Sequence, residues 1–137
     1  MATLTDTGPL VALIDAGERD HERCKQALKH LEAPMVTTWP VVTEAMYLLG
    51  DAGGWQAQRA LWAMVDREAL TLADLRRPEI ARARALMEKY RDAPMDIADA
   101  TLVAVAEARG LKRVFTLDSD FGVYRFRGRE SFEMVPA

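Results

Sequence analysis

Apolar positions along this chain fall into short runs, three or four residues long, that alternate with longer stretches of helical periodicity. Residues 3–5 read as a short strand ending at Asp6, and Gly8-Pro9 predicts a turn into an apolar helix over residues 10–16. Asp20 is a suitable N-cap for a second helix, because residues 21–31 carry Cys24, Ala27, Leu28 and Leu31 at helical spacing. Pro34 breaks that pattern, residues 35–38 form a second strand, and Pro40 opens a third helix through Val41, Glu44, Ala45, Leu48 and Leu49. Gly50, Gly53 and Gly54 separate it from a fourth helix over residues 55–67, so the pair reads as a helical hairpin. Residues 70–72 suit a third strand. Pro78 opens a helix that runs through Ile80, Ala83, Leu86, Met87 and Tyr90. Asp96 caps the next helix, which ends at Gly110, and the apolar strand 114–117 ends at Asp118-Ser119-Asp120. Residues 132–135 add an edge strand.

Strands alternating with helices predict an α/β fold, with a mainly parallel sheet covered on both faces by its crossover helices. At 137 residues, the chain is expected to form one domain over 1–137. Half of it is hydrophobic and 28% charged, the balance of an ordinary globular protein. The single cysteine, Cys24, has no internal disulfide partner and reads as a half-buried helix residue. Neither a basic, apolar leader nor an apolar run of bilayer length is evident, so a cytosolic location is expected. A net charge of −3 argues against holding nucleic acid by bulk electrostatics.

Candidate chemistry lies in the acids. Ligands of open α/β sheets bind beyond the carboxyl ends of the strands, where Asp6 and Asp118 both stand. Each also has a purely structural role open to it, Asp6 as a helix cap and Asp118 in an Asx-turn. Glu44 is flanked by Val41, Val42, Ala45, Leu48 and Leu49, which leave it little solvent-facing arc, so it needs a partner, either a basic side chain or a metal ion. Asp96 and Asp99 share one face at a helix start, where Asp96 also suits an N-cap, while Asp99 borders the apolar stripe of Leu102, Val103 and Ala106. Several converging acids require a cation between them, and oxygen donors without histidine or thiolate suit Mg²⁺ or Mn²⁺. His21 and His30 lie away from every acid and read as solvated helix residues.

Four segments together resemble the PIN domain, and within it the VapC-type toxins: Leu4-Thr-Asp-Thr-Gly-Pro-Leu-Val-Ala-Leu-Ile-Asp15, Thr43-Glu44-Ala45, Met95-Asp-Ile-Ala-Asp-Ala-Thr-Leu-Val-Ala-Val-Ala106 and Phe115-Thr-Leu-Asp-Ser-Asp-Phe121. The resemblance spans essentially the whole chain. It implies a three-layer α/β/α fold and metal-dependent endoribonuclease activity on RNA. It also implies catalytic and metal-ligating roles for Asp6, Glu44, Asp99 and Asp118, with Asp96 and Asp120 as further metal ligands. Thr7 and Thr116 lie inside the matched motifs, where a hydroxyl can orient a carboxylate or water. VapC-type proteins are homodimers neutralised by a small antitoxin that places a basic side chain in the acidic pocket, so both partners are implied here. Trp55, Trp62 and Met64 fit either an interface or the core. Alternating Arg125, Arg127 and Arg129 would share one face of an extended segment, and Arg76, Arg77, Arg82 and Arg84 form a second basic cluster; such runs are mostly solvated surface, and RNA contact is the alternative for each.

The alternative is a catalytically inactive PIN-like module that binds RNA or protein, against which four intact acids argue. A receiver-type or acyl-phosphate phosphatase domain would want paired acids or Asp-x-Asp after the first strand, and Asp6-Thr7-Gly8 supplies neither.

Overall fold

Three-residue strands make a stable sheet only when both faces are covered, and the strands here are buried throughout their central members. The computed structural model describes residues 2–136; Met1 and Ala137, the two ends of the expected 1–137 domain, lie outside the described residues. Strands β1 (Thr3–Thr5), β2 (Met35–Thr37), β3 (Leu70–Leu72), β4 (Arg113–Phe115) and β7 (Glu133–Val135) form one five-stranded sheet. Its order is β3-β2-β1-β4-β7 and every pairing is parallel. Leu4 pairs with Val36 on one side and Val114 on the other, a fully buried row across the centre. The buried threonines beside it satisfy their hydroxyls on backbone carbonyls: Thr3 Oγ1 donates to Glu32 O at 2.9 Å and Thr37 Oγ1 to Thr5 O at 2.8 Å.

Between these strands run α1 (Thr7–Ile14), α2 (His21–Leu28), α3 (Trp39–Asp66), α4 (Arg77–Lys89) and α5 (Ile97–Arg109). From β1 the chain steps outward to β2 and β3, then crosses back to β4 on the other side of β1. Right-handed crossovers therefore put α1 to α3 on one face of the sheet and α4 and α5 on the opposite one. Within each face α1 packs on α2 and α3, and α5 on α4 and on β5 (Arg125–Phe126), which pairs with β6 (Glu130–Ser131) in a small hairpin; α3 also meets α5 beyond the carboxyl end of β2, where the Thr38 and Thr101 hydroxyls lie 2.8 Å apart. Helix α5 is buried at every position from Ala98 to Ala106, as expected of a helix that is apolar all round. It ends at Gly110, whose φ of 69° is the left-handed cap conformation.

Several boundaries differ from the pattern reading, each for a local reason. No turn forms at Gly8-Pro9: helix α1 starts at Thr7, because Asp6 caps it and Pro9 falls in the first turn, where no intrahelical N–H is needed. The second helix ends at Leu28 and not at 31, the chain tightening there into i to i−3 bonds from Lys29, His30 and Leu31. Asp20 precedes it without a side-chain capping bond. Of the three glycines in α3, only Gly54 breaks the helix, with φ 62° and ψ −153°. Trp39 and Trp62 would be roughly 35 Å apart on a straight helix, yet their ring centroids lie 6.4 Å apart, so the arms 39–53 and 55–66 fold back on each other as the expected hairpin. Met64 belongs to the core, whereas Trp39, Trp55 and Trp62 are exposed. Cys24 is fully buried rather than half-buried. His21 is not merely solvated, since its Nδ1 bonds Ala12 O at 2.6 Å and ties α2 to α1. Among the described residues, no helix is long and apolar enough to cross a membrane.

Candidate active site

The strand order decides where a site can form. Because β1 sends the chain one way to β2 while β4 lies on its other side, the switch point of the sheet is between β1 and β4. Asp6 follows β1, and Thr116 and Asp118 follow β4; Asp6 N donates to Phe115 O at 2.9 Å, which holds the two strand ends in step. Asp99, on the first turn of α5, reaches the same edge. One carboxylate oxygen from each of Asp6, Asp99 and Asp118 lies within 4.8 Å of the others. They border a cavity of about 290 Å³ whose walls also include Thr7, Glu18, Glu44, Leu48 and Asp96. A larger cleft, of about 550 Å³, is lined by apolar and basic side chains such as Leu13, Leu28, Met64 and Arg67 and gathers no acids.

Asp6, Asp96, Asp99 and Asp118 are held by structural bonds as well as facing the cavity, so the two roles weighed for Asp6, Asp96 and Asp118 are compatible. Asp6 Oδ1 accepts from Thr7 N at 2.8 Å, capping α1, and Oδ2 accepts from Thr116 Oγ1 at 2.8 Å. The same Thr116 oxygen accepts from Asp118 N at 3.0 Å, so one hydroxyl ties the first acid to the turn carrying the fourth. Asp118 Oδ1 accepts from Asp120 N at 2.9 Å, the Asx-turn geometry. Asp96 Oδ1 accepts from Asp99 N at 2.8 Å and caps α5. Asp99 Oδ2 accepts from Tyr124 Oη at 2.9 Å.

These surroundings make ionisation costly. Burial pushes the Asp6 carboxyl up to about 6 against the opposing hydrogen bonds from Thr116 and Thr7, and the charges of Asp118 and Glu44 add to the rise. Asp99 is pushed up to about 8, first by burial and then by the charge of Asp6. Glu44 is raised by partial desolvation and by Asp96; the Thr7 hydroxyl offsets part of this without a full hydrogen bond, since Thr7 Oγ1 is buried with no partner among the described residues. Asp120 is raised chiefly by its neighbour Asp118. Two carboxyls that ionise reluctantly, Asp6 and Asp99, packed this close to that of Asp118, form a receptor for a cation. The wall residues offer only oxygen donors, with no imidazole or thiolate, and the unpaired Thr7 hydroxyl is one more.

Of the six candidate acids, the fold brings Asp6, Asp99 and Asp118 into one cluster, with Glu44 and Asp96 on the cavity wall. Glu44 is more exposed than its apolar neighbours in sequence suggested, because the cavity opens on its side of α3. Asp120 sits in the 3-10 turn Ser119–Gly122 next to Asp118 and does not line the cavity. The basic clusters fare differently. Extended alternation stops at Arg127, whose φ of 50° begins the turn into β6. Arg125 spends its guanidinium on the carbonyls of Gly122, Val123 and Tyr124, while Arg127 lies 4.7 Å over the Phe126 ring and donates to Glu107 O. The three arginines thus do not form one basic face. Arg82 is paired with Glu107 at 2.7 Å, leaving Arg76, Arg77 and Arg84 exposed in the second cluster. Pattern reading missed Tyr124, since an isolated tyrosine among apolar residues reads as core; only its contact with Asp99 reveals more.

Comparison with known proteins agrees with this geometry. The family model described as PIN domain matches residues 3–127. The chain is 31% identical to Ribonuclease VapC26 of Mycobacterium tuberculosis over 134 residues, covering 97% of this chain and 99% of that protein. Among solved structures, that of VapC20 of Mycobacterium tuberculosis, described as a sarcin-ricin loop cleaving toxin, superimposes with a TM-score of 0.82 at 21% identity, over 90% of this chain and 94% of that one. A toxin-antitoxin complex from Klebsiella pneumoniae gives a TM-score of 0.65 at 20% identity over 85% and 87% of the two chains. VapBC2 from Rickettsia felis, bound to a DNA fragment from its promoter, gives 0.62 at 17% identity over 88% and 91%.

Proposed function

The chain belongs to the PIN domain family, and from that premise we propose that it is a metal-dependent endoribonuclease that hydrolyses RNA phosphodiester bonds as the toxin of a toxin-antitoxin pair. The observation that carries this reading is the convergence of Asp6, Asp99 and Asp118 at the sheet's switch point. Kinship over nearly the full length with a protein named as a ribonuclease supports the substrate class.

On this reading Asp6, Glu44, Asp99 and Asp118 hold Mg²⁺ or Mn²⁺, and Asp96 and Asp120 are outer acids of the same field. The bound cation supplies a lowered pKa for water and positive charge beside the phosphate. Everything else falls to the chain. Thr116 orients Asp6, Tyr124 engages Asp99, and the turn from Asp118 to Gly122 carries the fourth acid. Glu44 is exposed on the cavity wall and engaged only by the Thr7 hydroxyl, which suits it to accept the proton of the attacking water. Asp99, held near 8, carries a proton at neutral pH, and Asp6, held near 6, takes one up just below it, so occupation of the pocket displaces protons. A basic side chain from an antitoxin would satisfy the same acids and exclude the cation. Exposed Trp39, Trp55 and Trp62 support partner surfaces on the α3 hairpin, for the antitoxin and for a second copy of the chain. The setting is the cytosol.

The test is to express the wild type and Asp6→Asn and compare growth arrest and RNA cleavage with Mg²⁺, with Mn²⁺ and with EDTA. Arrest and cation-dependent cleavage by the wild type alone are expected. Equal cleavage by the two proteins, or cleavage indifferent to EDTA, overturns the proposal.

A further inference from the structure

Tyr124 is fully buried, and a buried phenol hydroxyl requires a partner. Its partner is a carboxylate: Tyr124 Oη donates to Asp99 Oδ2 at 2.9 Å. Among the described residues, no other side chain hydrogen-bonds to the Asp99 carboxylate. The ring itself has little freedom. Tyr90 and Phe121 each meet it edge-on with centroids 5.2 Å away, and Tyr124 N donates to Asp120 O at 3.1 Å. One residue on, Arg125 N donates to Tyr90 Oη at 3.0 Å. Phe121 and Asp120 belong to the 3-10 turn that Asp118 caps. The phenol is therefore fastened to the turn that carries Asp118, while its hydroxyl grips an acid on α5, 25 residues away in sequence.

We infer that Tyr124 is a positioning residue, a strut that sets the Asp99 carboxylate against Asp118 and so fixes the spacing of the acidic cluster. The inference rests on the proposed reading of that cluster as a cation site. Asp6 obtains the equivalent service from Thr116 and from Thr7 N, whereas Asp99 depends on this one phenol. Removing the hydroxyl while keeping the ring leaves the aromatic packing in place but frees the Asp99 carboxylate to turn away from its neighbours.

The experiment titrates Mn²⁺ by calorimetry into EDTA-treated, dialysed wild type, Tyr124→Phe, Tyr90→Phe and the Asp99→Asn variant with and without Tyr124→Phe, and records metal-free thermal unfolding of each. Tyr124→Phe is expected to bind Mn²⁺ about 10- to 100-fold more weakly, the usual effect of losing a partner that orients a ligand. Tyr90→Phe, which removes a hydroxyl from the same aromatic cluster with no acid attached, is expected to keep wild-type affinity. In the Asp99→Asn background, Tyr124→Phe is expected to change affinity no further. Unchanged Mn²⁺ affinity in a folded Tyr124→Phe overturns the inference and leaves the nuclease reading standing. Equal losses from Tyr90→Phe and Tyr124→Phe also overturn it, by showing a structural role of the cluster alone. Wild type that binds no Mn²⁺ overturns both readings together. Should Tyr124→Phe not fold, Phe121→Leu decides: it loosens the seat of the Tyr124 ring without touching an acid, the strut requires weaker Mn²⁺ binding there and not in Tyr90→Phe, and wild-type affinity in a folded Phe121→Leu overturns the inference.

Discussion

Asp99→Asn is expected to make the metal-free protein more stable at alkaline pH while weakening its response to divalent cations. The carboxyl is 5% exposed and its pKa is raised from 3.8 to about 8. A group whose folded pKa lies above its unfolded one contributes stability that is complete below the unfolded value and is lost as pH rises through the folded value. For Asp99 the window runs from about pH 4 to about pH 8. At 1.36 kcal/mol per unit, ionisation-linked destabilisation has a ceiling of about 4 kcal/mol at pH 7. Neighbouring acids share the proton uptake, so about 2 kcal/mol is the working figure. For a chain of 137 residues that is a difference in Tm of roughly 7 °C. Asparagine keeps an oxygen for the Tyr124 hydroxyl and has no charge to bury. Thermal unfolding in EDTA at pH 5 and pH 8.5 should therefore show the variant close to wild type at the lower pH and several degrees above it at the higher. Adding Mg²⁺ or Mn²⁺ reverses the order, since a ligand present at a hundredfold its Kd stabilises by about 2.7 kcal/mol and only the wild type retains the full cluster. Parallel pH dependence of the two proteins in EDTA, or equal stabilisation of both by the cation, would refute the reasoning.

Thr116→Val removes the donor to Asp6 Oδ2 and the acceptor of Asp118 N together; it should cost about 1–3 kcal/mol in urea unfolding and weaken Mn²⁺ binding roughly tenfold or more, and wild-type affinity would count against Thr116 as the link between the acids. Cleavage rate at fixed subsaturating Mg²⁺ should rise between about pH 5 and pH 8, because the Asp6 and Asp99 protons, held near 6 and 8, must leave before a cation is bound; a flat profile in single-turnover assays would contradict that. Gly54→Ala places a side chain at φ 62°, ψ −153°, a region open essentially to glycine alone; denaturant unfolding should show a loss of about 1–3 kcal/mol, where Gly122→Ala, with open space at its Cβ position and no positive φ, should lose little.

Much of the protein was legible in its sequence because much of it is set locally. Strand residues flanked by prolines and acids, the cap at Asp96 and the left-handed stop at Gly110 all depend on near neighbours, and they appear where the pattern predicts. The acids were recognisable singly by their places at strand ends and helix starts, and as a set only through the resemblance of the four segments to the PIN domain. Local signals failed where two local solutions compete: Gly8-Pro9 suits a turn as well as a first helical turn, and the Asp6 cap decided for the helix. Arg125, Arg127 and Arg129 alternate in sequence, yet the turn at Arg127 and Gly128 and the bonds to Glu107 scatter them.

What sequence alone determined, then, is which residues carry charge and where each lies on its own strand or helix, since periodicity and capping act over a few residues. Only the tertiary structure decided that β4 returns beside β1, and that crossing brings Asp118 to Asp6 and swings α5 in to deliver Asp99. The unpaired Thr7 hydroxyl, the Thr116 link and the Tyr124 strut have no sequence signature for the same reason: each is a property of a contact between segments far apart in the chain, and it exists only once the core has closed around them.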